Sequence, residues 1–181
     1  MAAHAATRAI VTGGAQGIGF AVARRLVEEG CRAVTLIGRS AEKGGKAVAG
    51  LEKFGAEAIF VSADIQEVEA CRKAVAVAIS RFGGVNVLVN AAGSSARGSL
   101  TETTPELFEH LFATNVRGPF FLMQAVVQHL LETGAPGSIV NVLSMSAHCG
   151  QDFLARPTTG SGRRRPRSPW VNSSNPTSSP N

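Results

Sequence analysis

Arg8-Ala9-Ile10-Val11-Thr12-Gly13-Gly14-Ala15-Gln16-Gly17-Ile18-Gly19-Phe20-Ala21-Val22-Ala23-Arg24-Arg25-Leu26 decides how this 181-residue chain is to be read. A short run rich in β-branched residues leads into a segment of helical period, and glycines fill the turn between them. Glycine there lets the backbone turn tightly and approach a pyrophosphate. The free N–H groups and positive end of the following helix then stabilise its charge. Any tight turn can use glycine, so it is the placement between strand and helix that points to a nucleotide.

Outward from this unit the same alternation continues. The strands predicted are Arg8–Thr12, Ala33–Ile37, Ala58–Ser62, Val85–Asn90 and Ser138–Leu143. Between them come helices over about Gly17–Glu29, Ala41–Phe54, Gln66–Phe82 and Pro105 to about Glu132. Strands alternating with longer helical segments imply βαβ units, hence a doubly wound, Rossmann-type α/β fold with a mostly parallel sheet. Thr104 is the natural N-cap of the long helix, ahead of Pro105 and Glu106. Its interior Gly118-Pro119 should kink it or split it in two.

The composition changes after residue 155. Residues 1–155 hold 13 Lys+Arg against 13 Asp+Glu, so the net charge of +5 comes from Arg156, Arg163, Arg164, Arg165 and Arg167. Five of the eight prolines lie in 156–181, where Trp170 and Val171 are the only large apolar residues. Such a segment buries too little surface to offset its ordering entropy and reads as a disordered Arg/Pro/Ser-rich tail behind a domain of residues 1–155. Cys31, Cys71 and Cys149 are odd in number and widely spaced, which argues against a disulfide framework or a zinc site and fits a reducing cytoplasm. No apolar run approaches the roughly 18–20 residues of a membrane span.

The glycine spacing is G-x-x-x-G-x-G, and Asn90-Ala91-Ala92-Gly93 follows at the end of the fourth strand. In this order the motifs resemble the short-chain dehydrogenase/reductase family over about residues 7–155. The resemblance implies that Gly13, Gln16, Gly17, Ile18 and Gly19 hold a dinucleotide, and that Asn90, Ala91 and Gly93 support the sheet and line its cleft. It also implies that Asp64, with Ile65, meets the adenine. Asp64-Ile65-Gln66-Glu67 reads equally as a capping box for the next helix, and the two roles can coexist. At the end of the second strand, where an acidic residue would select NAD, stand Gly38, Arg39 and Ser40. A guanidinium pairs well with a 2′-phosphate, so NADP is expected ahead of NAD.

The family's chemistry, hydride transfer between a nicotinamide and an alcohol or carbonyl carbon, uses an asparagine, a serine and a Tyr-x-x-x-Lys. Asn115 and Ser144 match the first two. The tyrosine position, thirteen residues beyond the serine, is Pro157, and the lysine position is Ser161. The chain contains no tyrosine, and its last lysine is Lys73. Losing a general acid/base typically costs about 10²–10⁴ in rate, so turnover should be near background. His148 and Cys149 read as ordinary loop side chains.

The resemblance implies further elements after the fifth strand that are not recognisable here. The fold is therefore expected to stop at that strand, as a five-stranded sheet in order 3-2-1-4-5 with an unprotected edge and an uncovered sheet face. A family-type homodimer is then in question, and a small alcohol or carbonyl substrate is expected only if the remaining part is supplied. A non-catalytic nucleotide-binding or regulatory module is the alternative. Nucleic acid binding through the arginine run is weakly supported, since it is one block of few charges.

Overall fold

The computed structural model describes residues 4–96 and 101–144. Its centre is β1 (Arg8–Thr12), whose side chains are buried on both faces beyond Arg8. Successive strand residues face opposite ways. Ala9 and Val11 accordingly join one apolar cluster and Ile10 the other. Parallel strands covered on both faces are continuously apolar, which is why the run reads without polar alternation.

Around β1 lie β2 (Ala33–Gly38), β3 (Glu57–Ser62), β4 (Val87–Asn90) and β5 (Ser138–Asn141), all parallel, in the expected order β3-β2-β1-β4-β5. The register sets Val11 beside Leu36 on one side and Val89 on the other. Helices α1 (Gly17–Glu28) and α2 (Ala41–Glu52) pack on one face through Ala23, Val27, Ala47 and Leu51. Helices α3 (Val68–Phe82) and α5 (Gly118–Thr133) cover the other through Ala74, Val75, Ala78, Leu122 and Val126.

Several boundaries differ from the sequence reading by one or two residues. Helix α3 starts at Val68, two residues late, with Glu67 as an N-cap that makes no side-chain bond. The capping box is not formed: Asp64 Oδ1 instead accepts from the Gln66 amide at 3.0 Å, a turn that holds the chain extended before the helix. β4 and β5 are shorter than expected, at Val87–Asn90 and Ser138–Asn141.

The long helix is interrupted just before Gly118-Pro119, by a π turn. α4 (Pro105–Phe112), capped by Thr104 Oγ1 accepting from Leu107 N at 3.2 Å, runs through a π turn over Ala113–Arg117 into α5. Gly118 N–H donates to Ala113 O, five residues back, and Pro119 falls in the first turn of α5. The wider turn absorbs the missing proline N–H. It also seats Gly118 against the loop after β3, where a Cβ would lie 2.4 Å from Ile65 O.

β5 is a sheet edge among the described residues, with only Ile139 half-buried in it. Between it and α1 opens an apolar hollow lined by Val22, Leu26, Val87, Val89, Val140 and Val142, a face left uncovered among the described residues. No helix of the described residues is long and apolar enough to cross a membrane. The tail of residues 156–181, and with it Pro157 and Ser161, lies outside the described residues, as do His148 and Cys149.

Cys71 is fully buried, its Sγ donating to Ile65 O at 3.2 Å. Loss of hydration, then the nearby Asp64 charge, pushes its thiol up to about 11. The folded chain therefore keeps this proton after the unfolded chain, ionising near the ordinary 9.0, has lost it. By linkage its contribution to stability is intact below pH 9 and disappears as pH rises through about 11. Thermal midpoints between pH 8 and 11 should fall more steeply for the native sequence than for Cys71→Ala. Tyrosine, the usual competing titration in that window, is absent from the chain; parallel slopes would refute the assignment.

Candidate functional site

At the C-terminal ends of β1, β2, β3 and β4 a cleft of about 420 Å³ opens above the sheet. This is where ligands bind in open α/β sheets. Its near wall is the loop from Gly13 to Gly19, and the glycines there have separate reasons. Gly13 has φ +65° and lies so close to the exit of β4 that a Cβ would stand 3.0 Å from the Ala92 backbone. Gly19 brings α1 onto the loop, since its Cβ would sit 2.6 Å from Gly13 O. Gly17, at φ +56°, faces open space. Gln16, the N-cap of α1, puts no side-chain bond on the first turn; its Oε1 accepts from Lys43 Nζ at 2.9 Å. No described side chain caps these amides, so they stay available to an anion at the positive end of the helix.

The floor is fastened from below. Thr12 Oγ1, almost fully buried, accepts from the amides of both Ala91 and Ala92 at 3.0 Å. This ties the end of β1 to the end of β4. Asn90 does not line the cleft: it is buried one position lower, where its Nδ2 donates to Asn141 Oδ1 at 2.9 Å and links β4 to β5. Its own Oδ1 finds no partner among the described residues.

Gly13, Gln16, Gly17, Ile18, Gly19, Arg39, Ser40, Asp64, Ile65, Ala91 and Gly93 all border the cleft. Arg39 is exposed at its rim, while the Ser40 hydroxyl caps α2, accepting from Lys43 N at 3.4 Å. Gly38 has room for a Cβ, 3.4 Å from the Phe60 ring. Asn115 is not a lining residue. It sits in the π turn and grips Ser94 from both sides, its Oδ1 accepting from Ser94 N at 2.9 Å and its Nδ2 donating to Ser94 O at 2.8 Å. Ser144 lies three residues beyond β5, exposed and likewise outside the lining.

Lys43, Gln66, Ser94, His110 and Thr114 are polar members of the lining that were not expected from the sequence. His110 and Thr114 stand four apart on one helix face, the single local signal that links them. Thr114 Oγ1 is buried and unpartnered among the described residues. The close-packed glycine cradle and the open amides of α1 fit the pyrophosphate of a dinucleotide. Among the described residues no group of three or more His, Cys, Asp or Glu could hold a metal ion.

Residues 7–156 match the family model described as short chain dehydrogenase. L-rhamnose 1-dehydrogenase (NAD(P)(+)) of Azotobacter vinelandii is 39% identical over 146 residues, which cover 78% of this chain and 56% of that protein. A short chain dehydrogenase from Burkholderia cenocepacia, solved in complex with NADP, superposes with a TM-score of 0.75 at 37% identity, over 81% of this chain and 59% of that one. L-sorbose reductase from Gluconobacter frateurii, solved with NADPH and L-sorbose, gives 0.75 at 28% identity, over 81% and 56%. The chain thus spans a little over half the length of these relatives.

Proposed function

Because this chain belongs to the short chain dehydrogenase family, we propose that its cleft binds a nicotinamide dinucleotide, NADP ahead of NAD, as the nucleotide half of a carbonyl or alcohol oxidoreductase. The observation that carries this is the Gly13–Gly19 cradle opening onto uncapped amides of α1, with Arg39 and Lys43 at the rim, neither of them in an ion pair among the described residues. In this reading Gly13, Gln16, Gly17, Ile18 and Gly19 hold the pyrophosphate, and Arg39 and Lys43 pair with the 2′-phosphate. Asp64 and Ile65 face the adenine, and Ala91 and Gly93 line the far wall. When bound, the dinucleotide supplies or takes up a hydride at C4 of its nicotinamide. The protein's own part is to position it: Thr12 and Asn115 fix the backbone of residues 91–94 from two directions.

Proton transfer is another matter, since the chain has no tyrosine. We read residues 1–155 as the dinucleotide-binding domain, 156–181 as a tail, and the chain as a cytoplasmic binder that does not turn over by itself. A small alcohol or carbonyl is its substrate only where further residues complete the site. A non-catalytic nucleotide-binding module is the second reading, favoured by that same lack of tyrosine.

Thermal unfolding with excess NADPH or NADH tests the cleft. At 100 times Kd a site-specific ligand stabilises by about 2.7 kcal/mol, a readily seen shift in midpoint. Arg39→Ala with Lys43→Ala should weaken NADPH about tenfold, as expected for exposed charge-assisted hydrogen bonds, and leave NADH unchanged. A native chain indifferent to both nucleotides would sink the reading.

A further inference from the structure

Four polar side chains that line the cleft form an unbroken line across it. Ser94 Oγ lies 3.1 Å from His110 Nε2, His110 Nδ1 lies 3.1 Å from Gln66 Oε1, and Gln66 Nε2 lies 3.3 Å from Asp64 Oδ2. They come from three places in the fold: the exit of β4, the body of α4 and the loop between β3 and α3.

The direction of every link follows from one end. An ionised carboxylate only accepts, so Gln66 turns its NH₂ to Asp64 and its carbonyl to His110. His110 must then carry a hydrogen on Nδ1. In the neutral ring this leaves the Nε2 lone pair to accept the Ser94 O–H, and Ser94 offers the cleft only lone pairs. A proton added at Nε2 reverses that last link: Nε2–H now donates to Oγ, and the hydroxyl hydrogen is released. An anion in the cleft meets an acceptor in the first state and a donor in the second.

We propose that Ser94 is a contact for the anionic dinucleotide and that His110 sets its polarity, so that protonation of His110 tightens binding. The inference rests on reading the cleft as a dinucleotide site. Neither residue was singled out by the sequence motifs, because each acquires its role only through the other.

The charged groups around His110 leave the mechanism intact. From the loop before α3 it faces Asp64 through Gln66, and from the π turn Arg117 donates to Gln66 O at 3.2 Å. Glu106 and Glu109 share its helix, and residues 94–96 after β4 bring no charge. Asp64 is the carboxylate that orients the line, and it keeps Gln66 in place in both protonation states of the ring.

The test is isothermal titration of NADP⁺, and separately of NAD⁺, into the native chain, Ser94→Ala and His110→Gln from pH 5.5 to 8.5. Differences between native and variant at each pH remove the titration of the nucleotide's own 2′-phosphate. Relative to His110→Gln, the native chain should bind about tenfold more tightly at the acid end of this range than at the basic end. Across that step binding should take up protons, read from the dependence of the apparent enthalpy on the buffer. Both the step and the uptake should vanish in Ser94→Ala. Parallel pH profiles for native and His110→Gln would overturn the proposal while leaving the dinucleotide site standing. A step that survives in Ser94→Ala would also overturn it, since the imidazolium charge alone would then be responsible. No binding of either nucleotide at any pH would remove the dinucleotide reading itself.

Discussion

Gly19→Val should abolish the stabilisation by NADPH and lower the thermal midpoint of the chain by about 6–12 °C. The Cβ of any larger residue would sit 2.6 Å from Gly13 O, 2.8 Å from Gly13 C and 3.0 Å from Thr12 O. All three are backbone atoms, so no rotamer change relieves the clash. Overpacking of this kind costs about 3 kcal/mol at the upper end of its usual range, and 1 kcal/mol moves the midpoint by about 2–4 °C in a chain of this size. The relief available is to push α1 away from the loop, which displaces the amides that would hold the pyrophosphate. Gly17→Ala separates the two effects. It meets nothing within 4 Å and strains only the backbone at φ +56°, so stability should fall by about 1 kcal/mol with the wall of the cleft still in place. If Gly19→Val retained a full NADPH shift, the loop would not be the binding element.

The second large expectation concerns chemistry. With the protein in excess over NADPH and a range of small aldehydes and ketones, the loss of nicotinamide absorbance should stay at the rate of the protein-free mixture. A full-length relative such as the L-rhamnose dehydrogenase should turn over its own substrate at least about 10²-fold above such a background. Hydride transfer to a carbonyl needs a proton for the developing alkoxide. Asn115 has both arms of its amide engaged by the Ser94 backbone. Ser144, exposed beyond β5, is a poor acid by itself. A burst of oxidation equal to the bound nucleotide would show that another group delivers the proton, and the assignment of this chain as a binder alone would fall.

What could be read in advance follows a physical division. β1 was legible to the residue because an apolar run bounded by Arg8 and Gly13 needs no tertiary information. The glycine loop was legible because its demands, positive φ and close backbone approach, are met by one residue type. The start of α3 was not, because Asp64 had two local bonds to choose from, and the turn to Gln66 won over the cap. The π turn was hidden for a different reason. Gly118-Pro119 announced a disturbance, but its form depends on Ile65, more than fifty residues earlier, against which Gly118 packs. The same holds for the cleft. Its glycines and Arg39 follow motifs, whereas Lys43, Gln66, Ser94 and His110 meet only when the sheet has ordered the elements that carry them.

The order β3-β2-β1-β4-β5 also divides the molecule into parts of unequal permanence. β1 is sealed between β2 and β4, and the Gly13–Gly19 loop is anchored to those strands through Gly13 N to Ile37 O at 2.8 Å and Thr12 to residues 91 and 92, and to α2 through Gln16 and Lys43. Among the described residues β5 has one neighbour and a largely exposed surface. Opening events that cost least are those that release few buried contacts, so β5 frays in excursions that leave the nucleotide cradle closed. The sheet behaves as a hinged door on a fixed frame: one margin swings, and the frame, which carries the adenine side of the cleft, does not notice.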